Sequence, residues 1–339
     1  MKKTSLFFII IFIIFSCHII SLTGKQMSHY PFIAGNIFKE FCDFRISNTS
    51  ECSIFNPKDV QDGDTIYVEQ QGVFLYSFFK KIHPFIKAKY ILITHNSRRG
   101  LCYYITQYAK YLKDKNIIMW FGKNLFINHK KTEIIPVGIE NNLKKIPTLE
   151  ERINNPLKKD KLCYLNFDIG PTSHRRHKIR KKVLKAFEKK KFCYRAERKS
   201  FKEYLKDLSR SKFVLSPKGN GTDCFRTWES LLVGSIPIVS TSKLDPIFKD
   251  LPVLIIKKWE DITEEFLLEK YEEMLSKKYN LEKIYINFWF DKIRKIQKKI
   301  RKISKDDNNK TIKNEIKSTK KRKRRKRARK KKKSSSSKK

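Results

Sequence analysis

Acidic residues are scarce in this chain, which has 34 Asp and Glu against 77 Lys and Arg and a formal net charge of +43. Fifteen of the basic residues lie between Lys320 and Lys339, where apolar residues are almost absent. A segment without apolar side chains cannot form a core, so we predict that residues 304–339 are a disordered basic tail. Such a tail suits a polyanionic partner, either nucleic acid or an acidic glycan, and a solvated tail without a partner is the alternative.

The sequence also lacks any Cys-x-x-Cys pair, so its cysteines do not indicate a metal site. One of the seven cysteines, Cys17, lies in an apolar N-terminal run, and the six that remain permit disulfides in a translocated domain. We expect Cys42 and Cys52 to pair first, because they are close in sequence. They also flank a polar stretch that contains the glycosylation sequon Asn48–Ser50.

The segment predicted to enter a membrane lies at the N-terminus. Two lysines precede the almost wholly apolar run Leu6–Ile20, which is typical of a signal peptide or a signal anchor over residues 1–22. We expect an uncleaved anchor and a single-pass type II membrane protein, with the rest of the chain in the lumen of the ER or Golgi. Cleavage of the segment, followed by secretion, is the alternative.

Candidate buried strands alternate with helical stretches along the chain, which predicts an α/β protein with parallel sheets. The clearest strand candidates are Thr65–Val68, Tyr90–Thr94, Ile117–Trp120, Ile134–Val137, Leu162–Phe167 and Leu251–Ile256. A polar, charged stretch with two prolines follows the fourth of these strands and is typical of a linker. We therefore predict a first domain over residues 23–146, a linker over 147–161 and a second domain over 162–303.

The most informative segment is 212–239. It is predicted to form a strand, a loop with Pro and two Gly, a helix and a second strand: Lys212–Leu215, Ser216–Thr222, Cys224–Val233 and Ile236–Val239. Asp223 is the expected N-cap of the helix, and Gly234 the expected glycine at its C-terminal end. Because the N–H groups at a helix start favour anions, this unit is suited to bind a phosphate group.

The side chains around this loop strengthen that interpretation. Two glycines would let a ligand approach the backbone, and Lys218 and Arg226 would supply positive charge. Glu229 shares a helix face with Arg226 and would suit the hydroxyl groups of a sugar. The candidate donor-binding residues are Lys218, Gly219, Asn220, Gly221, Asp223, Arg226 and Glu229. The alternative is an ordinary loop with a surface ion pair between Arg226 and Glu229.

The segment Ser216–Gly221, continued by Asp223, Arg226, Trp228-Glu229, Gly234 and Ile236-Pro237, resembles the signature of exostosin-like glycosyltransferases. Weaker similarity extends over about residues 65–270, through the segments Ile93–Ser97, Trp120–Asn141 and Leu251–Trp259. The resemblance implies a GT-B architecture, in which two Rossmann-like domains face each other across a cleft. It also implies a nucleotide-sugar donor bound by the second domain and a glycan or glycoprotein acceptor bound by the first. The chain departs from the signature at Lys218 and at Cys224-Phe225, which leaves the donor sugar open.

Other residues have a chemical and a structural interpretation. His95 follows a strand and could be the catalytic base that takes the acceptor proton, or a histidine satisfied by the backbone. Arg175 and Arg176 could contact a phosphate or end a solvated basic helix. The triplet Asp62-Gly63-Asp64 could bind a metal ion, but it precedes a strand, so we expect a turn and a metal-independent enzyme without a cofactor. Two further functions stay open: nucleic-acid or polyanion binding through the tail, and an inactive glycosyltransferase-like membrane protein.

Overall fold

The computed structural model describes residues 27–97, 105–173 and 175–307, with residues 309, 310 and 318. Its strands form two five-stranded sheets in this part of the chain, and every pair of neighbouring strands is parallel. The strands are β1 Phe44–Ile46, β2 Thr65–Glu69, β3 Tyr90–His95, β4 Ile117–Lys123, β5 Thr132–Ile135, β6 Lys161–Leu165, β7 Cys193–Arg195, β8 Ser211–Leu215, β9 Ile236–Ser240 and β10 Leu254–Ile256. The predicted α/β class with parallel sheets is confirmed.

Helices cover both faces of the sheets. They are Gly35–Phe41, Thr49–Ile54, Gly72–Ser77, Ile146–Asn154, Arg175–Phe187, Phe201–Arg210, Phe225–Leu232, Asp245–Phe248, Glu264–Leu275 and a C-terminal helix over 286–307. One of them lies where a linker was predicted. Pro147 stands in its first turn, where a missing N–H is tolerated, and Leu149 and Ile153 are buried. The connection between the two sheets is therefore a packed helix rather than an extended linker.

The first sheet has the strand order β1-β2-β3-β4-β5. Because the order never reverses, right-handed crossovers place all the connections on one face. That face buries the side chains of helix Gly72–Ser77 and of the turn Thr106–Lys113, in a cluster with Trp120 at its centre. The other face is covered by helix Gly35–Phe41 and by the C-terminal helix. This consecutive order differs from the doubly wound order expected of a Rossmann-like domain.

The second sheet has the order β10-β9-β8-β6-β7, in which the direction of winding reverses between β6 and β8. In sequence order within the sheet this is 2-1-3-4-5, a doubly wound arrangement. Ligands of such sheets bind in the crevice beyond the carboxyl ends of the strands, at the point of reversal. The loops that follow β6 and β8 flank that crevice, and the second of them is the glycine-containing loop.

The C-terminal helix joins the second sheet to the first. Its Phe290 stacks on Phe41, with ring centroids 4.1 Å apart, and Lys292 pairs with Glu133 at 2.5 Å. Further along, Gln297 donates to the carbonyl of Gly63 at 3.0 Å. One hydrophobic cluster therefore runs from this helix through the facing sides of both sheets. Residues 286–303, predicted to complete the second domain, pack on the first.

Several predictions from the sequence fall at or beyond the limits of the described residues. The N-terminal segment 1–22 lies outside them, and in the described part of the chain no helix has the length and apolar character needed to cross a membrane. Most of the predicted tail 304–339 also lies outside, although residues 304–307 are helical rather than disordered. Membrane anchoring, luminal residence and polyanion binding stay predictions.

The expected disulfide is wrong in this structure, since Cys42 and Cys52 are both free thiols. Cys42 is buried in the cluster shared by the two sheets, whereas Cys52 packs against the cluster on the opposite face of the first sheet. Proximity in sequence therefore did not bring their side chains together.

Candidate functional site: an arginine-lined glycine loop between the sheets

The glycine loop, residues 216–224, connects β8 to helix Phe225–Leu232. Its conformation is held by bonds of its own: the Gly219 amide donates to the Gly221 carbonyl at 3.1 Å, and the Ser216 and Thr227 hydroxyls lie 2.8 Å apart. The helix ends as predicted at Gly234, which has φ +72°. The Gly234 and Ser235 amides donate to the carbonyls of Leu231 and Ser230, which is a Schellman motif.

Arg180 lies between the two loops at the winding reversal. It is 6 % exposed, and it donates from Nε to the Lys218 carbonyl at 3.1 Å and from Nη1 to the Asp168 carbonyl at 2.6 Å. Burial, with smaller contributions from the nearby charges of Arg226 and Arg176, lowers its pKa to about 10. The side chain therefore remains charged at neutral pH and joins the loop after β6 to the loop after β8. Arg180 was not among the residues predicted for this site, although it stands at i+4 from Arg176 on one helix.

Arg226 and Arg176 bring two more guanidinium groups to this crevice. The Nε atom of each is buried and has no hydrogen-bond partner among the described residues. The guanidinium carbons of Arg226 and Arg180 lie 5.5 and 5.7 Å from the centre of the Phe167 ring, so both groups make a cation–π contact with the same ring. The acidic group nearest Arg176 is the Asp168 carboxylate, at 3.5 Å and 78 % exposed. The site therefore has an excess of positive charge and spare buried donors, as an anion-binding site requires.

The other residues predicted to bind the nucleotide-sugar donor lie around this crevice. Lys218 is half-buried, and its carbonyl is held by Arg180; Asn220 is exposed at the tip of the loop. Glu229 is buried, and its carboxylate accepts a hydrogen bond from the Tyr204 hydroxyl at 2.8 Å. Burial raises the pKa of Glu229. No ion pair joins Arg226 to Glu229 within the described residues, so the alternative of a surface ion pair is wrong.

Asp223 is not the helix N-cap, because the helix begins at Phe225 and Cys224 takes the cap position. Its Oδ2 atom instead accepts from the Val137 amide at 2.7 Å and from Trp228 Nε1 at 3.0 Å. The side chain is 6 % exposed, and burial raises its pKa. Asp223 thus bonds the glycine loop to the first sheet rather than capping a helix.

The glycines of the loop are needed for a reason that the sequence did not reveal. A Cβ atom at Gly219 would lie 3.1 Å from Nη2 of Arg180, and one at Gly221 would lie 2.9 Å from Nδ2 of Asn124. Protein side chains therefore lie beside the two glycines, where a ligand was predicted to approach the backbone. The glycines let Arg180 and Asn124 approach the loop backbone closely.

His95 has the geometry of a structural histidine. It is 2 % exposed, its Nε2 lies 2.9 Å from the Pro136 carbonyl, and its Nδ1 accepts from the Asn96 amide at 2.9 Å. Burial, with a smaller contribution from the charge of Lys123, lowers its pKa to about 3. Because both ring nitrogens are bonded to the backbone, this conformation leaves no nitrogen to accept a proton from an acceptor hydroxyl. The structural interpretation of His95 accounts for these contacts.

The triplet Asp62-Gly63-Asp64 forms the predicted turn, with φ +91° at Gly63. Asp62 accepts hydrogen bonds from the Lys89 amide, at 2.6 Å, and from the Ser304 hydroxyl. Asp64 accepts from the Gln61 amide at 2.8 Å and pairs with Arg301 at 3.3 Å. Across the described residues no group of three or more His, Cys, Asp or Glu side chains could hold a metal ion. The carboxylates of the triplet thus attach the C-terminal helix to the first sheet.

Comparison with known proteins gives similarities to solved structures and a match to a protein family. The crystal structure titled "Crystal structure of GtfA/B complex" aligns with a TM-score of 0.35 and 11 % identity, over 71 % of this chain and 59 % of that one. The chain thus spans less than two thirds of that protein's length, and no curated protein matches it. Residues 172–329 match the family described as RXYLT1 C-terminal domain, and this region begins just before Arg176 and includes Arg180 and the glycine loop. The matched residues, just under half of the chain, are thus similar to the RXYLT1 C-terminal domain family, a xylosyltransferase family, and this supports the resemblance to glycosyltransferases seen in the sequence.

Proposed function

We propose that this protein is an exostosin-like glycosyltransferase of GT-B architecture, which transfers a sugar from a nucleotide-sugar donor to a hydroxyl group of a glycan or glycoprotein. The observation that carries this proposal is the group of three arginines around the glycine loop, Arg176, Arg180 and Arg226. Two of them have a buried Nε donor without a partner among the described residues. Buried unpaired donors and clustered like charges destabilise a fold, and a bound diphosphate would relieve both.

The reaction makes one bond and breaks one. The acceptor oxygen bonds to the anomeric carbon of the donor sugar, while the bond between that carbon and the diphosphate oxygen breaks. The electron pair of the broken bond leaves with the nucleoside diphosphate, and the proton of the acceptor hydroxyl passes to a base. Arg176, Arg180, Arg226 and Lys218 stabilise the charge on the leaving diphosphate, and we propose that they do so without a metal ion.

We assign the acceptor to the carboxyl edge of the first sheet. Three asparagines are bonded together there: Asn96 Nδ2 donates to Asn36 Oδ1 at 3.0 Å, and Asn141 Nδ2 donates to Asn96 Oδ1 at 2.8 Å. Asn96 has φ +56°, which directs the chain sharply after β3. Amide groups both donate and accept hydrogen bonds, which suits the hydroxyl groups of a glycan.

The test is donor binding by the full-length chain purified in detergent. Since the matched family is a xylosyltransferase family, UDP-xylose is the first donor to examine, with UDP-glucose and GDP-mannose for comparison. A ligand present at about a hundred times its dissociation constant should stabilise the protein by about 2.7 kcal/mol, which a thermal shift detects. A folded sample that responds to none of these nucleotides, nor to UDP or GDP, would overturn the proposal.

A further inference from the structure

The glycine loop is held from the first sheet as well as from the second. Asn124, the residue after β4, accepts a hydrogen bond on Oδ1 from the Thr222 amide at 3.1 Å. The Val137 amide, two residues after β5, donates to Asp223 Oδ2 at 2.7 Å. Two consecutive residues of the loop are therefore bonded to the carboxyl ends of two neighbouring strands of the other sheet.

These contacts are buried. Asn124 is 1 % exposed, and its φ is +52°, in the left-handed region that asparagine tolerates better than most residue types. Its Nδ2 atom is buried with no partner among the described residues and would lie 2.9 Å from a Cβ at Gly221. Asp223 Oδ1 is likewise buried and unpaired in the described part of the chain. Two unpaired buried groups are compatible with a stable fold only where surrounding contacts compensate for them.

We propose that Asn124 and Asp223 are positioning residues that couple the docking of the two sheets to the shape of the donor loop. This inference rests on the proposed function. Two of the residues that carry the positive charge, Lys218 and Arg226, stand at most four positions from Thr222 or Asp223. A shift of the first sheet would therefore move the loop backbone and the start of its helix. Neither Asn124 nor Asp223 touches the donor; they act through the loop that does.

Coupling of this kind is reciprocal. If the docked arrangement favours donor binding, a bound nucleotide must favour the docked arrangement by the same factor. UDP should therefore slow hydrogen exchange at peptides covering residues 120–126 of the first sheet as well as at the loop. Peptides covering β1, on the far edge of the same sheet, serve as the internal reference.

The variants separate hydrogen bonding from backbone strain. Asn124→Gly removes the bond to Thr222 and still accepts a positive φ, so it tests the side chain alone. Asn116→Ala is the matched control, because Asn116 likewise makes a single side-chain hydrogen bond to the backbone, which it donates to the Ile86 carbonyl at 2.8 Å, before the start of β4. At the second contact, Asp223→Asn can keep an oxygen at the Oδ2 position, whereas Asp223→Ala cannot.

The experiment measures UDP affinity by calorimetry and the melting temperature without ligand, for each full-length variant. We expect Asn124→Gly to weaken UDP binding about three- to tenfold, the equivalent of one hydrogen bond. Asn116→Ala should lower the melting temperature and leave UDP affinity unchanged, and the loss of affinity should be larger in Asp223→Ala than in Asp223→Asn. UDP affinity equal to wild type in both Asn124→Gly and Asp223→Ala would overturn this inference alone. A wild-type protein that binds no nucleotide would instead overturn the proposed function, and this inference with it.

Discussion

Removing the charge of Arg226 should weaken donor binding without destabilising the protein. The guanidinium carbons of Arg226 and Arg180 lie 5.5 and 5.7 Å from one ring centroid. They are therefore at most about 11 Å apart, which gives a repulsion of at least about 1.5 kcal/mol at an effective dielectric constant near 20. The cation–π contact of Arg226 with Phe167 offsets about 0.5–1 kcal/mol of this. In Arg226→Met the side-chain stem still packs while both electrostatic effects disappear.

Because the variant also loses the attraction between Arg226 and the buried Glu229 carboxylate, its free energy of unfolding should change by no more than about 1 kcal/mol in either direction. Its affinity for UDP should fall at least about tenfold, because a charge-assisted bond to phosphate contributes about 1.5–3 kcal/mol. Urea denaturation with and without UDP measures both quantities on one sample. The matched control is Arg195→Met, since Arg195 is an exposed arginine whose side chain pairs with Glu188 at 3.5 Å.

The reasoning would be refuted by a variant that loses more than about 2 kcal/mol of stability and still binds UDP as the wild type does. That result would make Arg226 a structural residue whose charge is already compensated. A loss of affinity in Arg195→Met of the same size would show that net charge, and not the arginine group at the loop, attracts the nucleotide.

Three further predictions concern single features. Since the pKa of His95 is lowered to about 3, the unfolded chain binds a proton between about pH 6.5 and 3 that the folded chain does not. As the pH is lowered through that range, His95→Gln should therefore lose less stability than the wild type does. Urea denaturation at each pH measures this. A Cβ at Gly138, where φ is +67°, would lie 2.0 Å from the Ile33 carbonyl oxygen, whereas one at Gly72 would meet no described atom within 4 Å. Thermal melts should show Gly138→Ala strongly destabilised and Gly72→Ala neutral or stabilised. Finally, the carboxylates of the Asp62–Asp64 turn are bonded to the C-terminal helix, so we do not expect them to hold a metal ion. Removal of metal ions with EDTA should therefore leave UDP affinity unchanged.

Each of these predictions has an opposing result. A pH profile of His95→Gln parallel to that of the wild type would show that His95 is protonated in the folded state. Equal melting temperatures for the two glycine variants would mean that the backbone at residue 138 can shift at little cost. Loss of UDP binding in EDTA, restored by Mn²⁺, would contradict the proposal that the arginines act without a metal ion.

The long strands could be predicted from the sequence because each is a continuous apolar run, buried on both faces of its sheet. Strands β1 and β7 were missed, since each has three residues and too few apolar positions to show a period. The helix Ile146–Asn154 within the predicted linker was not anticipated, because proline is common both in extended linkers and in the first turn of helices. The return of the C-terminal helix to the first sheet depends on distant contacts, such as Phe290 with Phe41, that no local pattern encodes.

The candidate site was predictable where it follows from a local motif and not where it follows from packing. Arg226 and the glycine loop lie within one short segment whose order of strand, loop and helix can be inferred directly. Arg180 comes from another helix, and Asn124 from the other sheet, so their proximity to the loop depends on the tertiary fold. His95 was placed correctly at the end of a strand, but its bond to the Pro136 carbonyl depends on the segment after β5, two strands away in the sheet.

The two sheets contribute differently to the crevice because their strand orders differ. The second sheet reverses its winding between β6 and β8, so the two loops diverge there and leave room for a ligand, and Arg180 holds them at a fixed distance. The first sheet has no reversal, so the carboxyl ends of its strands form a continuous row that can contact the glycine loop of the second sheet. Asn124 and the Val137 amide make these contacts. A site built in this way has its backbone preformed by protein contacts, while its arginines remain short of acceptors. The repulsion among the arginines is then a source of the crevice's affinity for an anion, and relief of that repulsion should contribute as much to binding as any new contact.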